Sequence, residues 1–166
     1  MRQFQARVGW MRGLEPEGWP DLSDARLAAT AEEWLTPWLH GIGRLADAGS
    51  LDVTDMLRSL LTYDQLLRLD QELPSALALL HGRAPVDYTQ PVPVASARAQ
   101  AFYGMRATPA LAGGRVPLRL SLLSPAGRPI AVTADLARFW RGAWADARRD
   151  MRGRYPKHEW PENPAG

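Results

Sequence analysis

Eight residues in a short run near the end of the chain hold most of its chemical reach: Arg148, Arg149, Arg152, Arg154, Tyr155, Lys157, His158 and Trp160. Guanidinium and ammonium groups meet phosphates, and aromatic rings stack on bases. Lys157 is the single lysine of the sequence. His158, between Lys157 and Glu159, offers a hydrogen bond or a cationic contact. For Tyr155 and Trp160 the favoured reading is packing back onto the preceding helix. A surface for RNA or single-stranded DNA is the competing one.

Other chemistries find no framework. With no cysteine, disulfides, thiolate catalysis, Cys-based zinc sites and iron–sulfur clusters are excluded. Lys157 follows Tyr-Pro, so there is no glycine-rich loop ending in lysine to cradle phosphates, and no D-E-x-H box for magnesium and ATP. His40, His81 and His158 are isolated and lack the spacing of a zinc site. No G-x-S-x-G elbow frames a serine. Glu32-Glu33 reads as a solvated helix face, and Gly113-Gly114-Arg115 as an ordinary loop before a strand. The sequence assembles no active site and no metal site.

The element that must position the basic run is a helix over 133–153. Thr133 is its expected N-cap. Leu136, Phe139, Trp140, Ala143, Trp144, Ala147 and Met151 recur at steps of three and four, one face of a helix. Trp140 and Trp144 read as core. Gly153 is the expected stop, and the arginines of the last turn complement the helix dipole. Pro156 and Pro161 hold the following tail, 154–166, extended.

Upstream, residues 1–73 read as helical. Phe4, Val8 and Met11 share a face over 2–12, followed by a Pro/Gly loop over 15–21. Ser23 caps a second helix with Leu27, Ala31, Trp34, Leu35 and Trp38 as its buried stripe, bent or ended by Pro37. Gly41, Gly43 and Gly49 loosen the next stretch around Ile42 and Leu45. Asp52 begins a further helix. Thr62 with Gln65 is a capping box that opens another, stopped by Pro74. Residues 74–132 change character. Short strands are expected over 76–80, 86–88, 92–97, 116–122 and 130–132, with a helical turn or two over 99–103. Leu118, Leu120 and Leu122 alternate with Arg119 and Ser121 as in a half-buried strand, and Ser124-Pro125-Ala126-Gly127 is a hairpin turn. The expected fold class is α+β: a helical N-terminal half packed on a small, mostly antiparallel sheet, closed by a long C-terminal helix and an extended Pro/aromatic tail. The chain reads as one domain over 1–166, with a partly open barrel as a variant of the sheet.

Charge is unevenly placed. Residues 1–97 carry 8 arginines against 13 carboxylates, a net −5; residues 98–166 carry 12 Lys/Arg against 5 carboxylates, a net +7. The basic half suits a polyanion, and equally suits pairing with the acidic half. No apolar run approaches the roughly 18–20 residues that span a bilayer. The start, MRQFQARVGWMRG, lacks the apolar core of a secretory signal. No membrane partner is expected. The absence of cysteine fits a reducing compartment, so a cytoplasmic location is expected.

Three segments carry a family resemblance: GWPDLSDARLAATAEEWLTPWL (18–39), AGGRVPLRLSLLSPAGRPIAVTADLARFW (112–140) and MRGRYPKHEWPENP (151–164). The chain resembles the C-terminal region of bacterial HrpB-type ATP-dependent helicases, a DExH-box group. Two departures are the missing proline near Leu80-His81-Gly82 and Asn163 in place of an acid. The resemblance implies that ATP and magnesium are handled by two RecA-like domains upstream, so that hydrolase and helicase activity belong to the parent polypeptide and no cofactor belongs to this chain. The implied function is a non-catalytic accessory domain. The resemblance does not itself state the domain's role; together with the basic second half it motivates the expectation that the domain contributes nucleic-acid binding, through the eight residues above, or docks on the upstream helicase core of the same polypeptide, with single-stranded RNA or DNA as a further candidate partner. The alternative is a purely structural or protein-interaction module in which GRYPKHEWP clamps the helix to the sheet.

Overall fold

A computed structural model describes residues 1–40, 49 and 51–166. The expectations on Gly41, Ile42, Gly43 and Leu45 lie outside the described residues. Seven α-helices and a five-stranded sheet are present among the described residues, so the class is α+β. The chain divides into two compact units, Met1–Leu73 and Pro74–Gly166.

The first unit holds α1 (Arg2–Leu14), α2 (Asp24–Ala29), α3 (Ala31–Leu39), α4 (Val53–Arg58) and α5 (Tyr63–Glu72). Local chemistry sets the starts. Ser23 accepts from the Arg26 N–H, and Asp52 from Thr54 and Asp55. Thr62 and Gln65 exchange both bonds of a capping box. Phe4, Val8, Met11, Met56, Leu57, Leu69 and Leu73 are buried. The Arg7 guanidinium is buried too. It donates to the carbonyls of Leu73 (2.7 Å) and Leu69 (3.3 Å) and to Asp70 (2.6 Å). It thereby satisfies the Leu73 carbonyl past the end of α5 and adds a second donor to the Leu69 carbonyl, which already accepts from the Leu73 N–H. The expected stripe from Leu27 to Trp38 is not a single buried face. Helix breaks at Thr30 separate α2 from α3, and only Leu27 of that stripe is buried. Pro37 neither ends nor breaks α3, which continues to Leu39.

The second unit carries β1 (Ala76–Leu79), β2 (Gly82–Asp87), β3 (Val94–Arg98), β4 (Arg119–Leu123) and β5 (Pro129–Thr133), in spatial order 1-2-3-4-5. The sheet is therefore open, with β1 and β5 as edges. Three pairings are antiparallel; β3 and β4 run parallel, from Val94↔Arg119 to Arg98↔Leu123. Their connection contains a 3₁₀ turn at Ala99–Phe102. The β4–β5 turn forms as expected: Gly127 takes φ +78° and donates to the Ser124 carbonyl at 2.8 Å. One strand expectation needs correction. Ser121 is buried along with Leu120 and Leu122, so the middle of β4 is covered on both faces.

The single long C-terminal helix is also corrected. It is two helices, α6 (Leu136–Arg141) and α7 (Trp144–Arg154), broken at Gly142. A Cβ at position 142 would lie 3.3 Å from the Arg138 carbonyl oxygen, so glycine suits the close approach. Thr133 is not the cap. Its hydroxyl bonds the Asp135 backbone, while the Asp135 carboxylate caps α6 by accepting from Arg138. Thr108 Oγ1 takes the Leu136 N–H at 2.9 Å. Gly153 lies inside α7, which stops at Tyr155.

Candidate nucleic-acid interface

The surface around α7 rests on an aromatic cluster. Trp140 and Trp144 stand edge to face with ring centroids 5.1 Å apart, as i, i+4 neighbours across the break. Phe139 packs 5.5 Å from Trp140, Tyr103 lies 5.9 Å from Trp144, and Trp160 lies 6.2 Å from Trp144. Each indole N–H is satisfied by a carbonyl: Trp140 by Met105 (2.8 Å), Trp144 by Pro161 (2.9 Å) and Trp160 by Tyr155 (2.9 Å). The tail is therefore folded back, not free. Tyr103 Oη donates to the Glu159 carbonyl and Gly104 N–H to the Pro164 carbonyl. Burial, with the Glu159 carboxylate nearby, pushes the Tyr103 phenol well above its ordinary range.

The eight candidate residues separate against this cluster. Trp160 is 6 % exposed, so its ring cannot serve as a base-stacking platform; burial against Trp144 takes its place. Arg148 is tied to the tail: its Nε donates to the Trp160 carbonyl at 2.7 Å, and a terminal nitrogen lies 3.4 Å from Glu162. Tyr155 is half-buried, with its ring near-perpendicular to that of His158 at 6.3 Å. Arg149, Arg152, Arg154, Lys157 and His158 are exposed. Arg149 faces Asp146 at 3.5 Å and Arg154 faces Asp150 at 3.1 Å. Arg152 and Lys157 form no ion pair among the described residues.

The arrangement is two adjoining shallow grooves. One is lined by Arg148, Arg152, Pro156, His158 and Trp160, the other by Ala145, Arg148, Arg149 and Arg152. Arg148 and Arg152 border both. On a helix these positions form one face, because 145, 148, 149 and 152 are spaced by three and four. No carboxylate lines either groove. Asp146 pairs with Arg149 and Glu162 with Arg148 from outside the linings, and such pairs are each worth about 0–1 kcal/mol, so an incoming anion displaces them at small cost.

Sequence reasoning passed over Asp146, Asp150 and Glu162 as counter-charges and Tyr103 as a tail anchor. The first two were readable from their i, i+3 and i, i+4 spacing to Arg149 and Arg154. Tyr103 and Glu162 carry no local signal, since their partners come from distant chain positions. Among the described residues no helix is long and apolar enough to cross a membrane.

Comparison with known proteins agrees with this fold. A family model described as ATP-dependent helicase C-terminal, HrpB_C, matches residues 34–164. The ATP-dependent RNA helicase HrpB of Escherichia coli (strain K12) is 44% identical over 149 residues, which are 89% of this chain and 18% of that protein. The crystal structure of E. coli DExH-box NTPase HrpB matches with a TM-score of 0.91 at 40% identity, covering 99% of this chain and 21% of that one. A crystal structure of Escherichia coli DEAH/RHA helicase HrpB matches with a TM-score of 0.77 at 38% identity, over 96% of this chain and 20% of that one. The chain thus spans about a fifth of the length of the helicases it matches. By sequence and by fold together, the chain belongs to the HrpB-type family of ATP-dependent helicase C-terminal domains.

Proposed function

We propose that this chain is a non-catalytic accessory part of a cytoplasmic ATP-dependent RNA helicase and adds nucleic-acid affinity to it through the basic face of α7. The observation that carries the reading is the pair of cationic grooves sharing Arg148 and Arg152, with Lys157 and His158 beside them and no carboxylate in their lining. The RNA of the reading is taken from the name of the E. coli relative. ATP and magnesium are assigned to the helicase core of the longer polypeptide, which is also the nearest protein partner.

Phosphate contacts from such a surface are sequence-independent and weaken with salt. The test is fluorescence anisotropy of the chain with a short labelled single-stranded RNA at two salt concentrations. The expected result is micromolar binding that falls steeply as salt rises, and that falls again in Arg152→Ala and Lys157→Ala. Absence of binding at low salt would remove the reading.

A second reading is favoured by a different observation. Trp160, Pro161 and Pro164 are fastened to α7 and to Tyr103-Gly104 by hydrogen bonds, which suits a purely structural or core-docking module. On that reading the arginines matter for fold and docking, and a pull-down against the helicase core is the informative assay.

A further inference from the structure

We infer that the α7 grooves read the phosphodiester backbone alone, without stacking on bases, so that single strands and duplexes are taken alike; this deepens the nucleic-acid reading above and rests on it. Single-strand readers combine a cationic track with aromatic faces on which bases lie. Here the track is present and the large aromatic faces, phenyl and indole, are not. Phe139, Trp140, Trp144 and Trp160 are all buried, each lying against at least one other ring of the cluster. The three indole donors are held by carbonyls, so freeing any one of these rings would break a hydrogen bond as well as its packing. Tyr103 and Tyr155 are half-buried, the first 5.9 Å from Trp144 and the second near-perpendicular to the exposed His158 ring at 6.3 Å.

Of the side chains that most often read base edges, the groove linings hold only arginine, whose base partner is guanine. No Asn, Gln, Asp or Glu is among them, so the partners that distinguish adenine and cytosine are missing. What remains outward is the charge of Arg149, Arg152 and Lys157 and the imidazole of His158, with half-buried Arg148 lining both grooves. From Ala145 to Arg152 the helix advances about 10 Å at 1.5 Å per residue, a track for a few phosphates rather than for a long strand. Arg149 and Arg154 reach an anion only by leaving Asp146 and Asp150, whereas Arg152 and Lys157 have no such competitor among the described residues. Neutralising two to four phosphates gives a single-strand salt slope of about −1.5 to −3 in log–log form. Backbone-only contact makes the duplex, with its higher charge density, at least as good a ligand.

The experiment uses the 166-residue chain at about 50 mM salt. The labelled probes are a single-stranded RNA, a DNA of the same sequence, an abasic DNA of the same length and an RNA duplex. The expected result is a Kd for the abasic strand within about twofold of the base-bearing DNA, RNA and DNA alike, and the duplex equal or tighter. Arg152→Ala and Lys157→Ala, both exposed and checked for unchanged melting, should weaken all four probes by similar factors. Abasic DNA binding about tenfold weaker than its base-bearing counterpart would overturn the inference and leave the nucleic-acid reading standing. Binding that ignores both substitutions would also overturn it, by placing the contacts elsewhere. Failure of every probe to bind would take the underlying reading with it.

Discussion

Replacing Trp160 by alanine isolates the tail clamp from the basic face beside it. The indole is 6 % exposed, lies 6.2 Å from Trp144 and donates to the Tyr155 carbonyl at 2.9 Å. Truncating a buried aromatic side chain costs about 3–5 kcal/mol. Part of that is the hydrogen bond, worth about 1 kcal/mol. For a chain of this size each kcal/mol lowers the melting temperature by roughly 2–4 °C, so a 4 kcal/mol loss predicts a fall of about 8–16 °C. The assay is differential scanning calorimetry, with near-ultraviolet circular dichroism to follow the loss of the ordered indole cluster. Trp160→Phe separates the two contributions: it keeps a ring in the site and removes the donor, so it should lose only about 1–1.5 kcal/mol. RNA affinity should change less than about twofold in Trp160→Phe, because the ring faces Trp144 and not a ligand. A melting temperature for Trp160→Ala within about 3 °C of the parent would refute the reasoning, since it would mean that the tail contributes almost nothing to the fold.

Three further perturbations have definite outcomes. Arg7→Ala removes a buried guanidinium from the carbonyls of Leu69 and Leu73 and should cost about 2–4 kcal/mol, read by urea unfolding. Gly142→Ala places a methyl 3.3 Å from the Arg138 carbonyl and should cost about 1–2 kcal/mol, with altered near-ultraviolet dichroism as Trp140 and Trp144 shift; an unchanged spectrum and stability would refute the close approach. Tyr103 is a neutral acid whose folded pKa is raised, first by burial and then by Glu159, above the ordinary 10.0. Its contribution is fully present below pH 10 and is lost as pH climbs toward the folded value, so the melting temperature should fall more steeply above pH 10 than in Tyr103→Phe.

Much of the local chemistry was legible in the sequence, though not the cap expected at Thr133 or the stop expected at Gly153, and long-range closure was not. The caps at Ser23 and Thr62, the helix start at Asp52 and the Ser124–Gly127 turn are settled by neighbours within a few residues, and they form as read. The break at Gly142 was hidden because the apolar spacing runs unbroken from Leu136 to Met151, so only the Arg138 carbonyl marks the interruption. The same limit applies to the candidate site. Clustering of Arg148, Arg149, Arg152, Arg154 and Lys157 is plain in the sequence, but which of them stays outward depends on where Trp160 and Glu162 return. Ser121 was misplaced because alternation along β4 tells which residues share a face, not whether the second face is covered. The parallel pairing of β3 with β4 has no sequence signature either, since it is made by a connection that passes out of the sheet and returns.

That parallel pairing divides the sheet into two pieces, each built from antiparallel neighbours. β1, β2 and β3 follow one another through short antiparallel reversals, and so do β4 and β5. Each set can zip from its own turn. The line between them closes only after the segment from Ala99 to Leu118 has been gathered in, and that closure carries the chain entropy of a distant contact. Folding should therefore finish along this line, and a proteolytic nick in the connecting segment should part the sheet there, leaving two hairpin-built fragments whose edges, β3 and β4, still match.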